Sequence, residues 1–240
     1  MNKKLISVFC LILMAFGLSA CGTTIVRGSG NIITENRDVS HFNSMAFSVP
    51  GDLIITQGNE ESLKIEAEDN LVPYIITEVR GNTLHIYADP RKLAFLNPRK
   101  PMRFEVTLKE LKSLDLSGSG SISSKEIKTD TLDANISGSG RMDFENLTAN
   151  TLNIDLSGSG VVALKGNVET ESLDVSGSGD CDLSGLTSKS ASINISGSGK
   201  TSVNATDNLD LNISGSGNLT YTGNPHITQS ISGSGKIISK

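Results

Sequence analysis

The tetrapeptide Ser-Gly-Ser-Gly occurs seven times in the second half of this chain. Successive copies begin 18 to 20 residues apart, at Ser117, Ser137, Ser157, Ser176, Ser196, Ser214 and Ser232. A fixed period near 20 residues is typical of a solenoid, in which each repeat forms one coil that stacks on the next. A flexible Gly/Ser linker is the alternative interpretation of such a segment.

The residues that flank each copy favour the solenoid over the linker. The residue before the motif is always aliphatic, from Leu116 in the first copy to Ile231 in the last. The third residue before the motif is apolar in every copy except the last, where it is Gln229. Such alternation is the period of a β-strand with one buried face. The glycines then supply the positive φ angles that a sharp corner between strands requires.

These patterns predict an all-β fold, a single-stranded parallel β-helix that we expect to be right-handed, with an irregular N-terminal β portion. The predicted divisions are a signal peptide over 1–20, the N-terminal β portion over 21–110 and the repeat β-helix over 111–240, continuous with the portion before it. We expect the N-terminal portion to continue the solenoid or to cap its open end. Its alternating runs are Leu53–Ile55, Leu63–Ala67, Leu84–Ile86 and Phe104–Leu108.

The first residues resemble a bacterial lipoprotein leader. Lys3 and Lys4 precede an apolar run of 14 residues, too short for a comfortable membrane span and typical of a signal peptide. The run ends in Leu-Ser-Ala-Cys21, which is similar to the lipobox, whose cysteine is acylated and becomes the first mature residue. An ordinary signal peptide with a chance cysteine is the alternative. We expect palmitate-type acyl chains on Cys21 to anchor the protein in the cell envelope.

The outer membrane is the expected location, because Gly22 is not the aspartate that retains lipoproteins at the inner membrane. The sequence leaves open whether the protein faces the periplasm or the medium. Loss of the leader removes two lysines and no acid, so the net charge moves from −5 to −7. This charge argues against nucleic acid as a partner.

Cysteine usage gives no basis for an internal disulfide. Cys10 leaves with the leader, Cys21 carries the lipid, and Cys181 is then alone. Cys181 also falls on the inward register of its coil, which favours a small buried hydrophobe over a reactive thiol.

The outward positions of the repeat form a candidate ligand-binding face. If the coils pair in register, short polar side chains two residues before each motif form a ladder with a spacing of about 4.8 Å. We call these residues the Asx ladder: Asp115, Asn135, Asp155, Asp174, Asn194 and Asn212. Such a face suits a polysaccharide or a surface protein, or a cation where Asp155 and Asp174 are adjacent. The simpler interpretation is a solvated face whose Asn and Ser side chains stack for structural reasons. We predict no metal site and no cofactor.

A basic segment lies between Tyr87 and Phe104, with three prolines and five basic residues in an otherwise acidic protein. Proline removes it from any central strand. Two interpretations stay open: a docking loop for an acidic polymer or for phospholipid headgroups, and a connection whose charges are merely solvated.

Catalytic patterns are weak. The three histidines are scattered and have no zinc-ligand spacing. A polysaccharide lyase or hydrolase on a β-helix would set acids and bases on one face. Arg141 and Asp143 on one coil, and Asp180 and Asp182 on another, are the best such pairs. We predict a non-enzymatic binding protein, with a carbohydrate-active enzyme or a passive structural protein as alternatives.

The N-terminal portion carries a family resemblance. The segments Phe47–Gly58, Glu68–Val79 and Gly81–Ile86, followed by the Ser-Gly-Ser-Gly coils, resemble the bacterial family called putative auto-transporter adhesin, head GIN domain. The resemblance covers about residues 30–238. It implies an exported β-helix of unknown function, commonly on a lipoprotein, and it supplies no catalytic residues. The adhesin name is itself an argument from fold.

Overall fold

The computed structural model describes residues 24–92 and 94–240. The predicted signal peptide, the lipobox and Cys21 lie outside the described residues. Single 3-10 turns occur at Val72–Tyr74 and Pro90–Lys92, and no helix of the described part has the length and apolar character needed to cross a membrane. The strands are β1 (Thr24–Arg27), β2 (Ile32–Arg37), β3 (Ser44–Ser48), β4 (Asp52–Gln57), β5 (Ser62–Glu68), β6 (Ile75–Arg80), β7 (Thr83–Ala88), β8 (Ala94–Asn97), β9 (Arg103–Leu108), β10 (Ser113–Gly118), β11 (Ser121–Ser124), β12 (Ile127–Lys128), β13 (Thr131–Gly138), β14 (Arg141–Gly158), β15 (Val161–Gly177), β16 (Asp180–Gly197), β17 (Lys200–Gly215), β18 (Asn218–Thr222), β19 (His226–Gly233) and β20 (Lys236–Ser239).

From β10 onward, the chain coils so that each strand pairs in parallel with the strand one coil later. The first serine of every Ser-Gly-Ser-Gly copy is the Cα partner of the first serine of the next, from Ser117 through to Ser232. The seven copies therefore stack in register, and the predicted parallel β-helix is confirmed.

Each coil contributes to two sides of the solenoid, which meet at the Ser-Gly-Ser-Gly corner. The ladder side contains β7, β3, β10, β13, the C-terminal parts of β14 to β17, and β19. The opposite side contains β5, β9, β4, β11, the N-terminal parts of β14 to β17, β18 and β20. The long strands β14 to β17 run through a second bend with shifts in register.

Both glycines of the corner are needed, for different reasons. Gly177, the first glycine of its motif, has a φ of 125°, and a Cβ there would lie 2.4 Å from the carbonyl oxygen of Gly158 on the preceding coil. A Cβ on Gly179, the second glycine, would lie 2.5 Å from a methyl carbon of Leu156. The first glycine thus permits the left-handed conformation, and the second permits the close approach of the core.

The inward side chains form one continuous hydrophobic core from Phe42 to Leu219. The aliphatic residue before each motif is at most 2% exposed in the first six copies, and Cys181 is likewise buried as predicted. In the last copy the equivalent residue, Ile231, is 43% exposed, because within the described residues β19 pairs with β17 on one side only.

The N-terminal portion both continues and caps the solenoid. The four alternating runs found in the sequence are β4, β5, β7 and β9, and β3, β4, β7 and β9 extend the parallel stack. Beyond them the pairing becomes antiparallel, β2 with β5 on one side and β6 with β7 on the other. Leu71 and Val72, in the connection between β5 and β6, are buried and close this end of the core.

Candidate ligand-binding face

The Asx ladder is formed as the sequence predicts. Its six residues are successive Cα partners, and all six side chains are exposed or half-buried. The amides hydrogen-bond along the stack: Asn135 Nδ2 donates to Asp115 Oδ1 at 2.8 Å, and Asn194 Nδ2 donates to Asp174 Oδ1 at 2.8 Å. Asn212 Nδ2 continues the row to Asn194 Oδ1 at 3.1 Å. These bonds link neighbouring ladder residues and leave further oxygen lone pairs and amide hydrogens available to a ligand.

Asp155 and Asp174 interrupt the row. They are Cα partners on adjacent coils, a spacing of about 4.8 Å, and two carboxylates cannot hydrogen-bond to each other. Within residues 24–92 and 94–240, no group of three or more His, Cys, Asp or Glu side chains is placed to hold a metal ion. The pair is therefore a local negative spot on the ladder.

A groove of about 400 Å³ runs beside the ladder, not on it. Two outward stripes line it: the residues four before each motif, from Asn153 to Thr228, and those six before it, from Thr170 to His226. Both stripes carry hydroxyl, amide and carboxylate groups, and Ala191 and Leu209 between them add apolar surface to the groove. The first stripe was visible as a polar row in the sequence. The second was missed, although its positions are polar in every coil after the first, where the equivalent residue is the buried Leu111.

Glu171 lies beneath this groove, between the lining residues Thr170 and Ser172, and its side chain is buried at 3% exposure. Neither carboxyl oxygen accepts a hydrogen bond. Burial raises the pKa of Glu171 to about 7. The nearby Ser188 hydroxyl opposes this pKa shift, yet its own hydrogen bond runs to the Asn204 carbonyl oxygen at 3.3 Å. Glu171 is thus a carboxyl group held mainly in its neutral form below neutral pH.

Two further polar groups share this part of the core. Burial, with Asp180 and Glu171 nearby, raises the pKa of the Cys181 thiol to about 12. Cys181 is therefore a poor nucleophile, as its inward register predicts. Thr201, its Cα partner on the next coil, is buried with an Oγ1 that has no hydrogen-bond partner.

The basic segment is folded against the N-terminal end. It contains the short strand β8, which pairs with β1 in a separate two-stranded parallel sheet. Arg91 forms two hydrogen bonds to Asp89, at 2.9 and 3.0 Å. The Nζ of Lys92 lies 4.6 Å from the centre of the Tyr74 ring.

Glu68 holds the C-terminal part of the basic segment in place through hydrogen bonds. Its buried carboxylate accepts backbone N–H bonds from Gly30 at 2.6 Å, Arg99 at 2.8 Å and Lys100 at 3.4 Å. Burial opposes ionisation, but these bonds outweigh it and lower the pKa of Glu68 below its ordinary value.

The candidate acid–base pairs lack the properties of a catalytic pair. Arg141 Nη2 lies 3.2 Å from Asp143 Oδ2, so these two neutralise each other. The Ser184 hydroxyl donates to Asp182 Oδ1 at 2.6 Å, and this bond lowers the pKa of Asp182. A general acid would need a raised pKa near the working pH.

Comparison with known proteins agrees with this architecture. The family described as putative auto-transporter adhesin, head GIN domain, matches residues 41–225. The chain belongs to this family. No match was found among curated proteins.

Solved structures extend the family likeness to three dimensions. A putative adhesin from Bacteroides fragilis NCTC 9343 is 28% identical, with a TM-score of 0.83 over 90% of this chain and 100% of that one. A putative lipid binding protein from Parabacteroides distasonis ATCC 8503 is 31% identical, with a TM-score of 0.72 over the same shares. A putative adhesin from the same strain is 25% identical, with a TM-score of 0.70 and again the same shares. These three solved structures share this chain's fold, and they are described as putative adhesins or as a putative lipid binding protein.

Proposed function

We propose that this head GIN protein is a lipid-anchored, non-catalytic binding module of the bacterial cell envelope, and that its ligand is a linear polysaccharide. The observation that carries the proposal is the groove beside the Asx ladder, where polar side chains that repeat once per coil flank a floor that includes Ala191 and Leu209. The coil repeat of about 4.8 Å is comparable to the length of one sugar in an extended chain. A polysaccharide lying along the solenoid axis would therefore meet equivalent polar groups at each successive sugar.

No Phe, Tyr or Trp side chain is among the described residues that line the groove, and this limits the expected binding affinity. Sugar rings would be held by hydrogen bonds, each contributing about 1 kcal/mol or less net, together with small apolar contacts to Ala191 and Leu209. Useful affinity must then come from many equivalent contacts along one polymer. A partner with a repeating structure fits this requirement better than a compact protein ligand does.

Binding of residues 22–240 to a glycan array, followed by affinity measurement on any polysaccharide found, tests the proposal. Ser192→Arg, which fills the groove, and Asp174→Lys, which reverses a ladder charge, should each weaken binding by about fivefold or more. Glu145→Lys is the matched control, because this exposed acid lies on the opposite side of the solenoid and should leave binding unchanged. An array without any positive glycan, or equal losses in all three variants, would contradict the proposal.

The proposed anchor has its own experiment. Cys21→Ser removes the acyl acceptor, so the protein should leave the membrane fraction after a high-salt wash and lose incorporation of a labelled fatty acid. Cys10→Ser is the control, because this cysteine belongs to the leader and should leave anchoring intact. Continued salt-resistant sedimentation of Cys21→Ser with membranes would show that the lipobox interpretation is wrong.

A further inference from the structure

The small sheet of β1 and β8 carries an unusual pair of side chains on its outer surface. Its inner side chains, Val26 and Leu96, pack against the core. On the outer side Ile25 and Phe95 are Cα partners, and they are 67% and 66% exposed. These are the two highest exposures among the large hydrophobic residues of the described chain. Two adjacent, exposed apolar side chains on a rigid sheet mark a contact surface.

Three cationic side chains lie beside this apolar pair, at the C-terminal end of the small parallel sheet. Arg27 follows Ile25 on the same outer face, and Arg99 and Lys100 follow β8; all three are exposed. None of the three forms an ion pair within the residues the structure describes. The carboxylate beneath them, Glu68, is already bound by three backbone N–H groups. The patch is therefore basic in a protein whose net charge is −5.

The position of the patch in the chain limits what can cover it. Only two residues, Gly22 and Thr23, separate Thr24, where β1 begins, from Cys21, and the three Cα–Cα steps from Cys21 to Thr24 span at most about 11 Å. An acylated Cys21, which is part of the function proposed above, would hold β1 within that distance of the bilayer surface. Exposed apolar side chains beside Arg and Lys are the combination that binds the interface of an anionic membrane.

We propose that the outer side of the β1–β8 sheet is a second membrane contact, specific for acidic phospholipids. Ile25 and Phe95 enter the boundary between headgroups and acyl chains. Arg27 and Arg99 face the phosphates, which a guanidinium binds in two-pronged fashion, and Lys100 adds a point charge. The rest of the acidic protein is repelled by the same surface, so the contact orients the solenoid with its N-terminal end toward the membrane.

Flotation of residues 22–240 with lipid vesicles tests this contact without the lipid anchor. The equivalent region folds on its own, since solved relatives consist wholly of chain that matches 90% of this one. We expect binding to vesicles of phosphatidylcholine with phosphatidylglycerol in low salt, and little binding to phosphatidylcholine alone or in high salt. Arg99→Glu with Lys100→Glu should lower the bound fraction by more than about tenfold.

The apolar contribution is tested by Ile25→Ser with Phe95→Ser, which should also reduce binding by about tenfold. Ile231→Ser with Ile238→Ser is the matched control, because those residues are 43% and 49% exposed at the far end of the molecule. Unchanged thermal unfolding would show that the variants remain folded. Equal binding to both kinds of vesicle, no binding to either, or an equal loss in the control would overturn the proposal. None of these outcomes affects the Cys21→Ser fractionation or the glycan measurements, so the two proposals fail separately.

Discussion

At the scale of single residues, Glu68 and Glu171 show two ways in which this fold buries a carboxyl group. Glu68 accepts three backbone N–H bonds, which lower its pKa and tie together the turns of the N-terminal cap. Glu171 accepts none, and burial raises its pKa to about 7. The first is a structural anion, while the second is stable mainly as a neutral acid.

Glu171 therefore makes stability depend on pH. Because its folded pKa of about 7 exceeds the ordinary 4.5, its stabilising contribution is complete below pH 4.5 and is lost as the pH rises through 7. The loss amounts to about 3 kcal/mol. Glu171→Gln cannot ionise, so its unfolding free energy relative to the wild type should be about 3 kcal/mol higher at pH 8 than at pH 4.5.

Urea unfolding of both proteins at pH 4.5 and pH 8 measures this difference. Glu169→Gln provides the control, since that acid is exposed two residues away and pairs with Lys189 on the surface. A Glu171→Gln difference that is the same at both pH values would show that Glu171 does not titrate in this range.

Residue-level prediction from the sequence succeeded where a position recurs in every coil and failed where one coil departs from the rest. Cys181 was placed in the core because its register is fixed by the motif. Glu171 is such a departure, since the fifth residue before the motif is Leu132, Leu152, Ala191, Leu209 or Ile227 in the neighbouring coils. The sequence therefore does contain a signal for Glu171: it is the one acidic residue at a position that is apolar in those coils.

At the scale of elements, the Ser-Gly-Ser-Gly corners of successive coils stack directly on one another. Gly118 begins the stack, and a Cβ there would meet nothing within 4 Å, although its φ is 94°. Gly177 lies in the middle, where the same Cβ would strike Gly158 at 2.4 Å. The two positions thus separate the cost of backbone conformation from the cost of contact between coils.

Alanine at these two positions should cost different amounts. Gly118→Ala should lower the free energy of unfolding by about 1–2 kcal/mol, because alanine is strained in the left-handed conformation. Gly177→Ala adds a steric clash of similar size, so about 3 kcal/mol or more is expected. Thermal or urea unfolding measures both, and Ser178→Ala, an exposed corner residue, should be nearly neutral. Equal losses at the two glycines would mean that stacking between corners contributes little.

The strands themselves were largely readable, but their pairing in the cap was not. Alternation located β4, β5, β7 and β9, because a buried face leaves the same period in any sheet. That period does not distinguish parallel from antiparallel neighbours. The antiparallel pairing of β2 with β5 therefore could not be derived, nor could the separate sheet of β1 and β8, whose partners are about 70 residues apart in the sequence.

At the scale of the whole molecule, the two ends of the solenoid are unequal. Antiparallel strands and the buried connection at Leu71 and Val72 close the N-terminal end. At the C-terminal end β19 and β20 each pair on one side only within the described residues, and Ile231 and Ile238 are 43% and 49% exposed. Since each coil contacts only its neighbours, stability should rise from the last coil toward the middle.

The aliphatic residues that precede each motif allow this difference in stability along the stack to be measured. Ile195 and Ile231 both precede a Ser-Gly-Ser-Gly motif and point inward, but Ile195 is 1% exposed and Ile231 is 43% exposed. Ile195→Ala leaves a cavity between two coils and should cost about 2–5 kcal/mol, whereas Ile231→Ala should cost about 1 kcal/mol or less. Urea unfolding gives the global values, and amide hydrogen exchange should show β19 and β20 exchanging faster than β16 in the wild type. Equal losses, or uniform protection along the stack, would mean that the C-terminal coil is covered in solution.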